Sequence, residues 1–293
     1  MTALALATWT FLCVASVLKK SVAIIGDIGG HLDVFERTLA AVGVDAATAH
    51  VPDDLTVIQV GDLVHKGPND AGCVQLADRL LATGRYIQLW GNHDAHYVGG
   101  PDVTRRPGVT AVDDSTAAVL HRWFDTKIAR LAVAVDSKEI GSVLVTHGGL
   151  TVGLWEQLGS TKAPSVVADQ LNALLHDPDR AFRPGWLMTG IYDQAAGVTC
   201  PRTGAELAGP WLERGAMPFS QIHGHEGVWW WPQERFHDDC PAEVREASHI
   251  DHDRRFCEVA IREHRLISVD WVLGTTAPDR TWLPFVLHDA VVC

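Results

Sequence analysis

Five short apolar runs in this chain each end beside a glycine and a residue able to bind a metal or move a proton. Residues 21–25 lead into Gly26-Asp27, and residues 55–60 into Gly61-Asp62. Residues 86–90 lead into Gly91-Asn92-His93-Asp94, residues 142–146 into His147-Gly148-Gly149, and residues 219–222 into His223-Gly224-His225. A strand that stops at such a junction sets an oxygen or nitrogen donor on the carboxyl edge of its sheet, where open α/β sheets bind ligands. One junction of this kind means little. Five with compatible donors point to a shared metal centre, and through it to hydrolytic chemistry.

Between these junctions the periodicity is helical. Leu32, Phe35, Leu39 and Val42 fall on one face of a helix over residues 31–42. Asn69-Asp70 can cap a second helix whose apolar face holds Cys73, Leu76, Leu80 and Leu81. Two successive strand–helix units imply parallel strands joined by right-handed crossovers. Residues 115–124 read as a third helix, and residues 131–135 and 142–146 as a hairpin about the polar turn 136–141. Residues 164–176 read as a helix with Val166, Val167, Leu171, Leu174 and Leu175 on its apolar face. Residues 177–218, rich in Gly, Pro, Arg and Trp, read as an irregular insertion near the site, and residues 259–261, 266–271 and 282–287 as closing strands.

The chain has 293 residues, 47% hydrophobic and 20% charged, as expected of a globular protein with a deep core. With no internal repeat or low-complexity linker, residues 21–293 are expected to form a single domain. A formal charge of −12 opposes stable binding to a nucleic-acid backbone, whose affinity rests on cations displacing counterions. It leaves phosphorylated substrates open, because bound divalent cations reverse the local field. The six cysteines form no CxxC pair, which argues against a zinc ribbon and reads as reduced thiols in a cytoplasmic protein. Residues 1–18 carry no charged side chain and precede Lys19-Lys20. The segment lacks the cationic start of a secretory signal and is short of the about 20 apolar residues of a spanning helix. It is expected to be an added buried element or an over-extended start rather than a membrane anchor, so residues 1–20 are set apart as an apolar extension.

Asp27, Asp62, Asn92, His147 and His225 supply donors suited to Mn²⁺, Fe or Zn²⁺. A carboxylate between two cations can bridge them, and the pair can activate a shared water and clamp a phosphoryl group. At this point the motifs GDIGGH (26–31), GDLVHKG (61–67), GNHD (91–94), THGGL (146–150) and HGHEG (223–227) resemble, in order and interval, those of the calcineurin-like metallophosphoesterase superfamily. The likeness is to bacterial relatives of the serine/threonine protein phosphatases and diadenosine tetraphosphatases, and it runs from about Ser21 to Asp270. It implies a four-layer α/β/β/α sandwich with mixed sheets. It also implies a bridging Asp62, Asp27 on the first metal, and Asn92, His147 and His225 on the second, with two Mn²⁺ as the leading pair. His93 would protonate the leaving oxygen as general acid, with Asp94 and His65 beside it in the catalytic group.

The departures bear on mechanism. Gly29 stands where the family has its first-metal histidine, and His31 lies two residues later; a loop loosened by Gly29-Gly30 could bring His31 to the same cation, or His31 could simply start the helix. His65 replaces the acidic residue that orients the catalytic histidine, and an imidazole there disfavours the cationic form of His93. Lys66 replaces a phosphate-binding arginine without its planar fork. His223 is either a second ligand from the same strand or packed behind His225, the latter fitting HGHEG better. Arg105, Arg106, Arg180 and Arg183 lie in loops, with Arg183 best placed to meet an anionic substrate. The Trp229–Trp231 run could stack on a nucleobase, but more often such a run alternates between core and capped loop. The expected activity is hydrolysis of a phosphoric ester, a monoester in the manner of the protein phosphatases, by attack of a metal-bound hydroxide. Two alternatives are a dinucleoside polyphosphate hydrolase and a non-catalytic binding scaffold with an eroded metal site. The expected partner is a phosphorylated protein, small molecule or nucleotide; oligomeric state is left open.

Overall fold

A computed structural model describes residues 20–106, 108–271 and 282–293 of the chain. The expectation for residues 1–18 falls outside them, as does the end of the segment resembling a closing strand. Strands β1 (Ser21–Ile25), β2 (Leu55–Gln59) and β3 (Tyr86–Gln88) run parallel, linked by helices α1 (Leu32–Ala40) and α2 (Asp70–Leu81). Helix α2 starts where the sequence places it, with the Asn69 side chain accepting from the Gly72 amide at 2.9 Å. After β3 come the short α3 (Asn92–Ala95) and then α4 (Asp114–Asp125), capped by Asp113. The hairpin β4 (Ala132–Ser137) and β5 (Gly141–Thr146) pairs from Ala132↔Thr146 to Ser137↔Gly141. Next come α5 (Val152–Gln157) and α6 (Pro164–Ala173). Strand β6 (Ser220–His223), the ribbon β7 (Trp229–Trp230) and β8 (Arg235–Phe236), β9 (Ser248–Asp251), β10 (Phe256–Ile261), β11 (His264–Ser268), β12 (Phe285–His288) and β13 (Ala290–Val292) complete the chain.

Two mixed sheets result, one in the order β12-β1-β2-β3 and one in the order β13-β4-β5-β6-β11-β10-β9. The two-residue period of a strand divides the core between them. Val22 and Ile24 of β1, Ile58 of β2, Val143 and Val145 of β5 and Ile222 of β6 form an apolar layer between the sheets. Ala23, Ile25 and Val57, the alternate residues, join Phe35, Leu39, Leu76 and Leu80 of α1 and α2 on the outer face. Against the second sheet lies α6, where the Asn172 side chain accepts from the Leu131 and Ala132 amides and donates to the Ala132 carbonyl. This is the sandwich the motifs imply.

Two expectations need correction, and two strands went unread. Val166 is 45% exposed, and the buried face of α6 is Pro164, Val167, Ala168 and Leu171. Residues 177–218 hold short helical turns, Pro178–Ala181, Trp186–Thr189, Thr203–Ala208 and Gly209–Arg214. Prolines open two of these turns and left-handed Gly190 and Gly215 close two, so punctuation read as loop chemistry instead starts and stops single turns. Strands β9 and β13 went unread because each is short and sits at a sheet edge, where burial leaves little alternation. No helix among the described residues is long and apolar enough to cross a membrane.

Candidate metal centre

Strands β1, β2 and β3 run parallel in one sheet, and β5 and β6 run parallel in the other. Their carboxyl ends therefore deliver Asp27, Asp62, Asn92, His147 and His225 to one end of the sandwich. Asp27, Asp62, Asn92 and His147 are each 4% exposed or less. Ligand atoms of Asp62, His147 and His225 lie within 4.8 Å of one another.

The hydrogen bonds fix which atoms are free to ligate. His147 Nδ1 lies 2.9 Å from the Val60 carbonyl oxygen, which can only accept, so Nδ1 carries the proton. Nε2 is then a bare lone pair, and it faces Asn92 Oδ1 at 3.1 Å and Asp62 Oδ1 at 3.4 Å. His225 Nε2 is buried and makes no hydrogen bond. Electron-rich atoms turned toward one another without protons between them are what a cation requires, so these residues fit a bound divalent metal. Asp27 lies alongside, its Oδ1 accepting from the His225 amide at 3.0 Å and 3.9 Å from His147 Nδ1.

Backbone strain holds this arrangement. Asp62 and His225 are both left-handed, with φ of 55° and 60°, a conformation that turns their side chains out of the strand direction and costs about 1 kcal/mol or more each. The carboxylate of Asp94 anchors the first of these turns, accepting from the amides of Asp62 at 2.7 Å, Leu63 at 2.9 Å and Gly91 at 3.2 Å. Asp94 thus acts on the site through backbone, as a positioning group. Burial, then the charge of Asp62, push its carboxyl up to about 7 against the pull of those amides. A Cβ on Gly91 would stand 2.1 Å from Asp62 Oδ1, so only glycine lets the two loops meet.

Burial and the neighbouring charges of Asp270 and Asp62 push the Asp27 carboxyl well up. For Asp62 burial pushes the same way, but the charges that His147 and His93 take up in acid, with that of Lys66, outweigh it and hold the carboxyl below the usual range. Burial likewise holds His147 and His225 neutral. The cleft over these groups has a volume of about 140 Å³ and is lined by Asp62, Lys66, Asn92, His93, Arg106 and His225, with Glu226, His237 and Asp270 also on its wall. Hollows of about 420 and 440 Å³ lie elsewhere and hold none of the expected donors.

His93 is buried in this cleft, with Nε2 3.9 Å from Asp62 Oδ2 and its amide donating to Asp62 Oδ1 at 2.9 Å. Its Nδ1 lies 2.8 Å from His65 Nδ1, and His65 Nε2 lies 2.6 Å from the Tyr97 hydroxyl. Burial brings His93 down to about 3 and His65 to about 4, so both rings are neutral at ordinary pH. Lys66 lines the cleft, whereas Arg183 is half exposed and paired with Asp193 at 2.5 Å. Arg106, one of the four loop arginines, takes the place in the cleft wall, its Nη2 donating to the Leu187 carbonyl at 2.7 Å. His31 is buried at the start of α1; it is neither in the three-residue ligand group nor on the cleft wall. His223 also lies outside that group, its Nδ1 2.9 Å from the Gly224 carbonyl oxygen. Sequence reasoning missed Tyr97, Asp270 and Glu226. Asp270 alone carried a signal, at the end of the apolar run 266–269 in the same pattern as the five junctions.

A two-sheet α/β sandwich with buried carboxylate, amide and imidazole donors at converging strand ends defines a metal-site protein. The model of the calcineurin-like phosphoesterase family matches residues 20–229, and the chain belongs to that family. Over 87 residues it is 38% identical to a symmetrical bis(5'-nucleosyl)-tetraphosphatase of Acidovorax ebreus (strain TPSY), a match covering 28% of this chain and 27% of the relative. The chain thus spans about a quarter of that relative's length. Among solved structures it is similar to a cold-active protein-tyrosine phosphatase of a psychrophilic Shewanella species (15% identity, TM-score 0.49, 85% of this chain and 80% of the other). A putative diadenosine tetraphosphatase is similar at 19% identity and TM-score 0.41, over 87% of this chain and 84% of the other.

Proposed function

We propose that the chain hydrolyses a phosphoric monoester at the cleft between its two sheets, with two divalent cations, Mn²⁺ foremost. The observation that carries this is the convergence of Asp62, Asn92, His147 and His225 with their ligating atoms turned together. When bound, the cations supply Lewis acidity, activating water and neutralising phosphoryl charge. Asp27 would hold the first, Asn92, His147 and His225 the second, and Asp62 would bridge them. The protein's own groups do the rest. Lys66 and Arg106 face the cleft as the cations that would receive the phosphoryl oxygens. His93 sits beside Asp62 with Nε2 toward the cleft, where it can give a proton to the departing oxygen. The cytoplasm, where thiols stay reduced, is the proposed location, in keeping with five described cysteines that are all free.

Turnover of an aryl phosphate with added Mn²⁺, lost in Asp62→Ala and reduced about a hundredfold or more in His93→Ala, is the expected result. Wild-type turnover equal to that of Asp62→Ala, with no metal retained by elemental analysis, would favour the eroded scaffold. A second reading, cleavage of a dinucleoside polyphosphate, draws on the tetraphosphatase match and on one feature of the cleft rim. Trp186 and Tyr192 stack at 5.8 Å and 17° beside the cleft residue Leu187, with Tyr192 52% exposed. Such a pair can receive a nucleobase. Trp230 carries His237 on its ring and Arg235 over it, much as Trp186 carries Arg202, so it is the exposed Tyr192 that sets the rim pair apart. Under this reading Trp186→Ala raises KM for dinucleoside tetraphosphate and leaves KM for the aryl phosphate as it was; equal effects on both count against it.

A further inference from the structure

We propose that Tyr97 and His65 are positioning residues that fix His93 as its Nε2–H tautomer and relay a proton through it to the leaving oxygen. The inference rests on the phosphoesterase reading above, but its evidence is the direction of a hydrogen-bonded chain. The Val112 amide, which can only donate, meets the Tyr97 oxygen at 2.9 Å. The hydroxyl makes its one other hydrogen bond among the described residues to His65 Nε2, 2.6 Å away, which is the acceptor available to its proton. His65 Nε2 therefore accepts, and a neutral imidazole that accepts there carries its proton on Nδ1. That proton points at His93 Nδ1, 2.8 Å away, which accepts in turn. His93 is left with its proton on Nε2.

A separate contact agrees. His93 Nε2 is 3.9 Å from Asp62 Oδ2, where an N–H is attracted and a lone pair repelled. The chain is also rigid at its centre. His65 is left-handed, with φ of 75°, and its amide donates to Asp70 Oδ1 at 2.7 Å. A carboxylate in the place of His65 would accept from Nδ1 and hold His93 as a cation; here the polarity is reversed.

The proton balance follows the same direction. As the P–O bond breaks, the leaving oxygen takes the Nε2 proton of His93. His93 Nδ1 takes the Nδ1 proton of His65, and His65 Nε2 takes the hydroxyl proton of Tyr97. Each ring loses one proton and gains one, so neither becomes an imidazolate. The phenolate left behind faces the Val112 amide, and the resting chain returns when His93 Nε2 takes a proton from solvent in the cleft and the two other transfers run backwards, giving Tyr97 its hydroxyl proton again. A phenol is acid enough for this, because an alkoxide is the stronger base.

Two measurements test it. Long-range ¹⁵N–¹H spectra of the ¹⁵N-histidine-labelled full chain, with and without Zn²⁺ and assigned through His65→Gln and His93→Gln, should show the proton of His93 on Nε2 and that of His65 on Nδ1. In Tyr97→Phe the His65 signals should move toward a mixture of tautomers. A proton on His93 Nδ1, alone or together with one on Nε2, overturns the proposal. These spectra need neither substrate nor turnover, so they stand even if the phosphoesterase reading fails. In the active enzyme, Tyr97→Phe should lower kcat for an alkyl phosphate about tenfold more than kcat for p-nitrophenyl phosphate, whose leaving group needs no proton. An equal loss on both substrates, or none on either, overturns the relay.

Discussion

Asp62 does three things at once: it takes a left-handed backbone, accepts from the His93 amide and presents a carboxylate to the ligand group. Its neighbours are shaped around it. In Gly91→Ala the new methyl would lie 2.1 Å from Asp62 Oδ1, which the His93 amide holds, and 2.2 Å from the Asp62 backbone nitrogen. The expected outcome is a loss of roughly 2 kcal/mol or more in stability and at least about tenfold weaker Mn²⁺ binding, read by urea titration and calorimetry. Asp94→Asn tests the clamp. An amide cannot accept on both ends, so one or two of the amides of Asp62, Leu63 and Gly91 lose their partner. Destabilisation by about 1–3 kcal/mol is expected, with kcat falling because Asp62 is released, although Asp94 faces no substrate. Unchanged stability in Asp94→Asn would show that the turn holds without it.

At the scale of elements, two asparagines of the same type do work of different size. Asn69 caps α2 at an exposed end, and Asn69→Ala should cost about 1 kcal/mol. Asn172 reaches from α6 to the start of β4, meeting two amides and a carbonyl of Leu131 and Ala132, both fully buried. Asn172→Ala should therefore cost more, about 2–3 kcal/mol, since it leaves buried amides unpartnered; chemical denaturation of both variants checks the order. The cap was legible because Asn-Asp before an apolar period is a local signal. The Asn172 bridge was not, since it joins residues 40 apart through a helix face that carries no mark of its partner. Val166 was misplaced for a related reason: an apolar residue beside the buried stripe of α6 reads as part of it until packing shows which side the sheet lies on.

For the whole molecule, burying histidines as neutral rings ties stability to pH. His223, fully buried, is brought down to about 4 by burial from an ordinary 6.5. The unfolded chain binds that proton first, so the contribution is fully present above pH 6.5 and is lost as pH falls from 6.5 to about 4. The slope is roughly 1.4 kcal/mol per pH unit for each such group. Urea midpoints of chelator-treated protein should fall between pH 7 and 5, and less steeply in His223→Gln. Adding Mn²⁺ should raise them at pH 7, because a ligand bound only to the folded state stabilises it by mass action. By itself the sequence determined the family, the parallel strand–helix units and the donors at the strand ends, because those rest on residue type and short-range period. Only tertiary structure decided that Arg106 rather than Arg183 reaches the cleft, that His31 lies off its wall, and that Tyr97 stands behind His65. Those outcomes depend on how loops far apart in the chain are turned when two sheets close on one another. Backbone direction and packing set that turn, and neither is written in the residues that are turned.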